Sequence, residues 1–244
     1  FLKHKSEEAI IWKNKSHSYG QLLNNIKRCQ SYIKSTEINS GTVVALEGDF
    51  SPISISLLLT LIDRECIVVP LTKNSNQKKS YFEIAQVEFI IRVDERDNYK
   101  LTSHLKNQTN ALYDQIRKKH HPGLVLFTSG TSGVPKAAVH DFVSLLEKFK
   151  LKHRALRTLN FLLFDHWGGL NTMFHILSSG GVVIATKSRG PENICKMIEV
   201  YKIELLPASP TFLNLLLISS AYKNFNLNNL KLISYGTEPM KKIH

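Results

Sequence analysis

The chain has 244 residues, 43% hydrophobic and 21% charged, the make-up of an ordinary water-soluble globular fold of one or two domains. Its net charge of +12 would suit a nucleic acid, but the basic residues are dispersed as pairs such as Lys78-Lys79, Lys118-Lys119 and Lys241-Lys242. With no nucleic-acid-binding signature beside them, nucleic acid is not expected as a partner. The apolar run from Ile53 to Ile62 is too short to span a bilayer, so no transmembrane segment is expected, and no signal peptide is present. Cys29, Cys66 and Cys195 are far apart and odd in number, which reads as free buried thiols in a reducing, cytoplasmic setting.

In chain order, Ala9 to Trp12 reads as a strand and Asn14-Lys15 as a turn. Ser18 is placed to cap a long helix, with Gln21 completing a capping box and Leu22, Leu23, Ile26, Cys29 and Ile33 at helical spacing along one face. Gly41 to Leu46 is a strand, Asp49 to Pro52 opens a second helix, and Cys66 to Leu71 is an apolar strand. This β-α-β succession favours a parallel sheet. Gln77 to Ala85 reads as helix, Phe89 to Val93 as strand, and Asp94 to Asn110 as polar and irregular.

Leu124 to Phe127 is a short apolar strand running into Thr128, Ser129, Gly130, Thr131, Ser132 and Gly133, then Pro135 and Lys136. Small hydroxyl residues and glycines let backbone N–H groups surround a phosphate, and a lysine adds mobile positive charge. The spacing is not that of the Walker A loop, because Lys136 lies three residues after Gly133 and Ala137 follows it. A helix is expected from Asp141 to Lys150. Beyond it come strands at Thr158 to Phe164, Val182 to Ala185, Ile203 to Leu206 and Leu230 to Ser234. Helices at Leu170 to Leu177, Pro191 to Tyr201 and Phe212 to Leu217 separate them. His120-His121 does not read as a metal pair, since neighbours in an extended chain point to opposite sides, and no metal ligand is assigned.

The segment FTSGTSGVPKAAVHD resembles the phosphate-binding signature of the adenylate-forming superfamily, which includes acyl-CoA synthetases, adenylation domains of peptide synthetases and luciferases. FDHWGGLN, ASPTFLNLLL and KLISYGTEPM extend the likeness, and FDHWGGLN resembles the form found in fatty-acid-type AMP-acid ligases. The resemblance implies an α/β fold of two mostly parallel sheets with flanking helices, the large N-terminal domain of such enzymes. One lobe would span residues 41–150, and the other residues 157–244 together with 1–36. Its Tyr-Gly-x-x-Glu motif, ribose-binding Asp, hinge and C-terminal Lys would lie beyond His244, so the chain is expected to be part of a longer ligase, inactive as this segment alone.

The function so implied is ATP-dependent activation of a carboxylic acid, fatty or otherwise apolar, to an acyl-adenylate with release of pyrophosphate. Mg²⁺ would serve as cofactor, and CoA or the phosphopantetheine of an acyl carrier protein as thiol acceptor. Thr128, Ser129, Gly130, Thr131, Ser132, Gly133 and Lys136 would hold phosphate; Gly236, Thr237, Glu238 and Pro239 would complete the nucleotide site. His166 is the catalytic candidate and, with Trp167, Gly168 and Tyr235, a substrate candidate. His166 to Gly181 contains no Lys or Arg, which suits an apolar acid; Trp167, Met173, Phe174 and Tyr235 are expected to line its pocket. Two alternatives stand beside this: an amino-acid adenylation domain, with Asp165 at the amine, and a non-catalytic nucleotide-binding fragment.

Overall fold

The computed structural model describes residues 1–73, 77–104, 110–128, 135–151 and 153–236. The chain forms a short 3-10 turn (Leu2–His4), β1 (Glu8–Trp12), β2 (Lys15–Ser18), α1 (Tyr19–Lys34), β3 (Val43–Glu47) and α2 (Pro52–Asp63). Then come β4 (Ile67–Leu71), α3 (Lys78–Ile84), β5 (Phe89–Val93), β6 (Tyr99–Ser103), α4 (Ala111–Lys118), β7 (Gly123–Thr128) and β8 (Lys136–Asp141). The remainder is α5 (Phe142–Leu146), β9 (Arg157–Asn160), α6 (Trp167–Ser178), β10 (Val182–Ala185), α7 (Pro191–Tyr201), β11 (Leu205–Ala208), α8 (Pro210–Ser219) and β12 (Leu232–Tyr235). The result is α/β, with two mixed, mostly parallel sheets and flanking helices, as expected.

Two compact units hold one sheet each. The first takes Phe1–Gly20, Leu151–Leu162 and Gly168–His244; the second takes Gln21–Lys150 and Leu163–Trp167. The second unit's sheet has the order β6-β5-β3-β4-β7-β8, with β3, β4, β5 and β7 parallel and the edge strands β6 and β8 antiparallel. Every residue of β3 and β4 is buried, which is why they read as unbroken apolar runs: a parallel sheet covered on both faces leaves no solvent side to alternate with. Ser51 caps α2 by accepting from Ser54 N–H, and Pro52 follows where a missing N–H costs nothing.

The first unit's sheet runs β12-β11-β9-β10-β1-β2, parallel except for the β1–β2 hairpin. Tyr19 is fully buried there and its hydroxyl donates to the Gly181 carbonyl at 2.7 Å. A side chain at Gly181 would put its Cβ 2.6 Å from the Leu156 carbonyl oxygen, so only glycine fits this contact. All three cysteines are free and buried, and burial pushes the Cys29 thiol up to about 11 and that of Cys66 up to about 12.

Three strands depart from the sequence reading. The turn lies at Lys13 and Asn14, both left-handed, so that polar Lys15–Ser18 pairs as β2. Tyr99–Ser103, read as irregular, pairs with β5. Lys136–Asp141 is a strand, and the helix after it is shortened to Phe142–Leu146 plus a 3-10 turn at Glu147–Lys150.

Candidate functional site

The phosphate-loop segment connects two strands of one hairpin. In the β7–β8 ladder Thr128 lies directly opposite Lys136, and Phe127 opposite Ala137. The ladder therefore fixes both ends of the TSGTSGVPK segment side by side, with Thr128 and Lys136 both exposed. Ser129, Gly130, Thr131, Ser132 and Gly133 lie outside the described residues. The hairpin is anchored on one side by Tyr81, whose ring stacks on Phe127 with centroids 4.1 Å apart, and at its far end by Asp141. Asp141 caps α5 through Val143 N–H at 3.0 Å and lies 2.9 Å from His121 Nδ1. Partial burial pushes the Asp141 carboxyl up; hydrogen bonding and charge from His121, with Val143 N–H and Lys119, outweigh it, and the group sits below its ordinary range.

The turn carrying His166 is pinned to the same edge of the same sheet. Thr72, the residue after β4, donates its hydroxyl to Asp165 Oδ2 at 3.0 Å, and β4 is the neighbour of β7. Phe164 is buried against Phe50, ring centroids 5.1 Å apart. These two contacts hold the Phe164–Asp165 dipeptide, and His166 follows, exposed, with no partner for its imidazole among the described residues. Trp167 is half-buried, with Lys148 Nζ 5.2 Å from its ring centre. Asp165 Oδ1 is buried and accepts no hydrogen bond from the described residues.

Gly168, Tyr235 and Gly236 belong to the first unit. Tyr235 ends β12 directly beside Ala208 of β11 and is exposed, while a Cβ at Gly236 would meet no described atom within 4 Å. Met173 and Phe174 are buried residues of α6. Thr237, Glu238 and Pro239 lie outside the described residues. At the end of β9, Asn160 donates its amide to the Gly169 carbonyl at 3.2 Å, leaving its buried Oδ1 without a donor, as is Asn171 Oδ1. The sequence reading overlooked Thr72 and Asn160; the available signals were a polar residue directly after an apolar strand for Thr72 and the one amide within the run TLNFLLF for Asn160.

The profile of the family described as AMP-binding enzyme matches residues 2–243. The chain belongs to this family of adenylate-forming enzymes. A dimodular nonribosomal peptide synthase of Bacillus subtilis is 30% identical over 113 residues, covering 42% of this chain and 5% of that protein. A 4-coumarate–CoA ligase-like protein of Arabidopsis thaliana is 27% identical over 132 residues, covering 50% of this chain and 23% of that one. The inhibitor-bound N-terminal domain of FACL13 from Mycobacterium tuberculosis superposes with a TM-score of 0.77 at 15% identity, over 99% of this chain and 68% of that one. The chain thus spans under a quarter of the length of these curated relatives. Mg²⁺ on a nucleotide is held largely by phosphate oxygens. Among the described residues no group of three His, Cys, Asp or Glu could cage a metal, so no residue is assigned to it. No helix among the described residues is long and apolar enough to cross a membrane.

Proposed function

We propose that this chain supplies the phosphate-binding portion of an AMP-forming acid ligase: it activates a carboxylic acid to an acyl-adenylate for transfer to a thiol, CoA or a carrier protein's phosphopantetheine. The observation that carries the reading is the β7–β8 hairpin, which pins Thr128 opposite Lys136 at the two ends of a hydroxyl- and glycine-rich loop. In the reaction a carboxylate oxygen attacks the α-phosphorus, the bond from that phosphorus to the bridging oxygen breaks, and pyrophosphate leaves with the electron pair. Attack of one anion on another is slow unless the protein neutralises charge as it shifts, so the task of this chain's residues is electrostatic and positional. Lys136 and the loop from Thr128 to Gly133 would hold the phosphates; His166, exposed beside the Asp165 anchor and without a partner among the described residues, would meet the reacting groups; Trp167, Gly168 and Tyr235 would contact the acid, and Gly236, Thr237, Glu238 and Pro239 the nucleotide.

An apolar acid is the leading substrate class, because His166 to Gly181 itself contains no Lys or Arg, and Lys148, beside it, lies against the face of the Trp167 ring. A second reading, amino-acid adenylation, is favoured by Asp165: a buried carboxylate oxygen without a donor would be satisfied by a substrate ammonium. Pyrophosphate exchange by the full-length protein across fatty acids, aryl acids and amino acids separates the two. An apolar acid is expected to win; an amino acid ahead by tenfold in kcat/KM would transfer the assignment to the second reading, and exchange with no acid would sink both.

A further inference from the structure

We propose that the second unit carries a further ligand site, for a small phosphomonoester bearing hydroxyl groups, at the point where its strand order reverses. The chain leaves β3 for β4 on one side and then returns to place β5 on the other side of β3. In open parallel sheets, ligands settle at the carboxyl ends of the two strands flanking such a reversal. A cavity of about 650 Å³ opens there, within the size range of small-molecule sites, with Glu47, Lys73, Lys78, Arg92, Tyr99 and Lys100 among its walls.

The charges in that cavity are not balanced by one another. Strand register sets Glu47 of β3 beside Arg92 of β5, and Arg92 directly opposite Lys100 of β6. Two like charges in directly opposed positions destabilise a sheet unless an anion lies between them. Glu47 answers part of the surplus: its Oε2 accepts from Lys78 Nζ at 2.9 Å, and Arg92 Nε stands 3.2 Å from Oε1. Lys73 pairs with Glu95 at 3.2 Å, and the side chain of Lys100 has no hydrogen bond or ion pair among the described residues. Asp94, the other acid in the wall, is held inside its own turn by the N–H groups of Asn98 and Arg96. With Lys73 taken by Glu95 and Asp94 held in its own turn, three cations, Lys78, Arg92 and Lys100, face the single carboxylate of Glu47. The surplus matches the charge of nearly two that a phosphomonoester carries near neutral pH.

Glu47 specifies the rest of the ligand. Its side chain is only 5% exposed, and Oε1 accepts no hydrogen bond from the described residues despite the nearby arginine. A buried carboxylate oxygen without a donor is costly, and a ligand hydroxyl would satisfy it. Phosphate for Arg92 and Lys100 with hydroxyls for Glu47 describes a sugar phosphate.

The test is calorimetric titration of the full-length protein with ribose 5-phosphate, inorganic phosphate and ribose. Ribose 5-phosphate is expected to bind more tightly than either of the others. The double variant Arg92→Gln, Lys100→Gln, at two exposed side chains and with its folding checked by circular dichroism, is expected to bind it at least about fivefold more weakly, with a shallower dependence on salt. Lys136→Ala should leave this binding unchanged, which keeps the site separate from the nucleotide loop. Wild-type affinity in the double variant, loss of binding in Lys136→Ala, or inorganic phosphate binding as tightly as ribose 5-phosphate would each overturn the proposal.

Discussion

In the first unit the ion pairs gather where the parallel strands begin. Arg157, the first residue of β9, reaches Glu8 of β1 at 2.6 Å and gives its backbone N–H to Glu204 at 3.0 Å, while Lys231 before β12 pairs with Glu204. At the opposite end of that sheet the orphaned acceptors are the neutral amides of Asn160 and Asn171, and Arg189 spends its guanidinium on the Phe161 and Lys187 carbonyls. The second unit has ions at both ends. Arg117 and Glu88 meet where β3 and β5 start, and Glu47, Arg92 and Lys100 meet where β3 and β5 finish. Amino-end pairs of this kind stitch neighbouring strands to one another. Charges at a carboxyl end, where parallel sheets receive ligands, serve a different purpose. Among the described residues, the second unit's carboxyl end thus carries a row of ions, while the orphaned acceptors at the first unit's are neutral amides.

Both sheets are held by their apolar interiors, and the end charges are additions to them. The largest effect is therefore expected in β3. Leu46 is fully buried, and Leu46→Ala should destabilise the fold by about 2–5 kcal/mol in denaturant unfolding, the cost of lost burial plus the cavity left behind. A cost under about 1 kcal/mol would mean that the sheet interior does not carry the stability, and the separation of interior from ends would fail.

The next consequence is functional. Lys136 is exposed and opposite Thr128, so Lys136→Ala should leave the fold intact and weaken ATP binding by roughly 1.5–3 kcal/mol, a loss of about ten- to a hundredfold. Equal affinity in calorimetry would remove Lys136 from the site and with it the functional contrast between the two carboxyl ends.

What could be read beforehand follows from the same physics. The strands β3 and β4 were recognisable because burial on both faces demands continuous apolar residues, and β5 and β7 because most of each is buried and apolar. The edge strands β2, β6 and β8 were not: KSHS, YKLTS and KAAVHD owe their pairing to a hairpin partner, and local composition carries little trace of a partner. For the site, the loop residues announced themselves because their chemistry is contiguous in sequence. The anchor of Asp165 on Thr72 could not be read, since the two are 93 residues apart. The row Glu47–Arg92–Lys100 needed strand register before three scattered charges became one cavity wall.

The smallest expected effect tests the amino-end pairs. Glu8 is held below the ordinary glutamate value of 4.5 first by its hydrogen bond from Arg157 and then by Ser16, against a modest opposing push from burial. A carboxylate depressed in the folded state adds stability that is present above its unfolded value and drains away as the pH falls through the folded one. Glu8→Gln should therefore cost most near neutral pH, and the two stability curves should draw together below the ordinary glutamate value. The pair is substantially exposed, with side-chain exposures of 30% for Arg157 and 41% for Glu8, so the cost at neutral pH should be no more than about 0.2–1 kcal/mol and should shrink in high salt. Chemical denaturation of both proteins across pH 3–7 reads this directly. A gap that widens on acidification would mean that Arg157 is not the group holding Glu8 down, and the amino-end network would lose its claim to stitch β1 to β9 in the first unit.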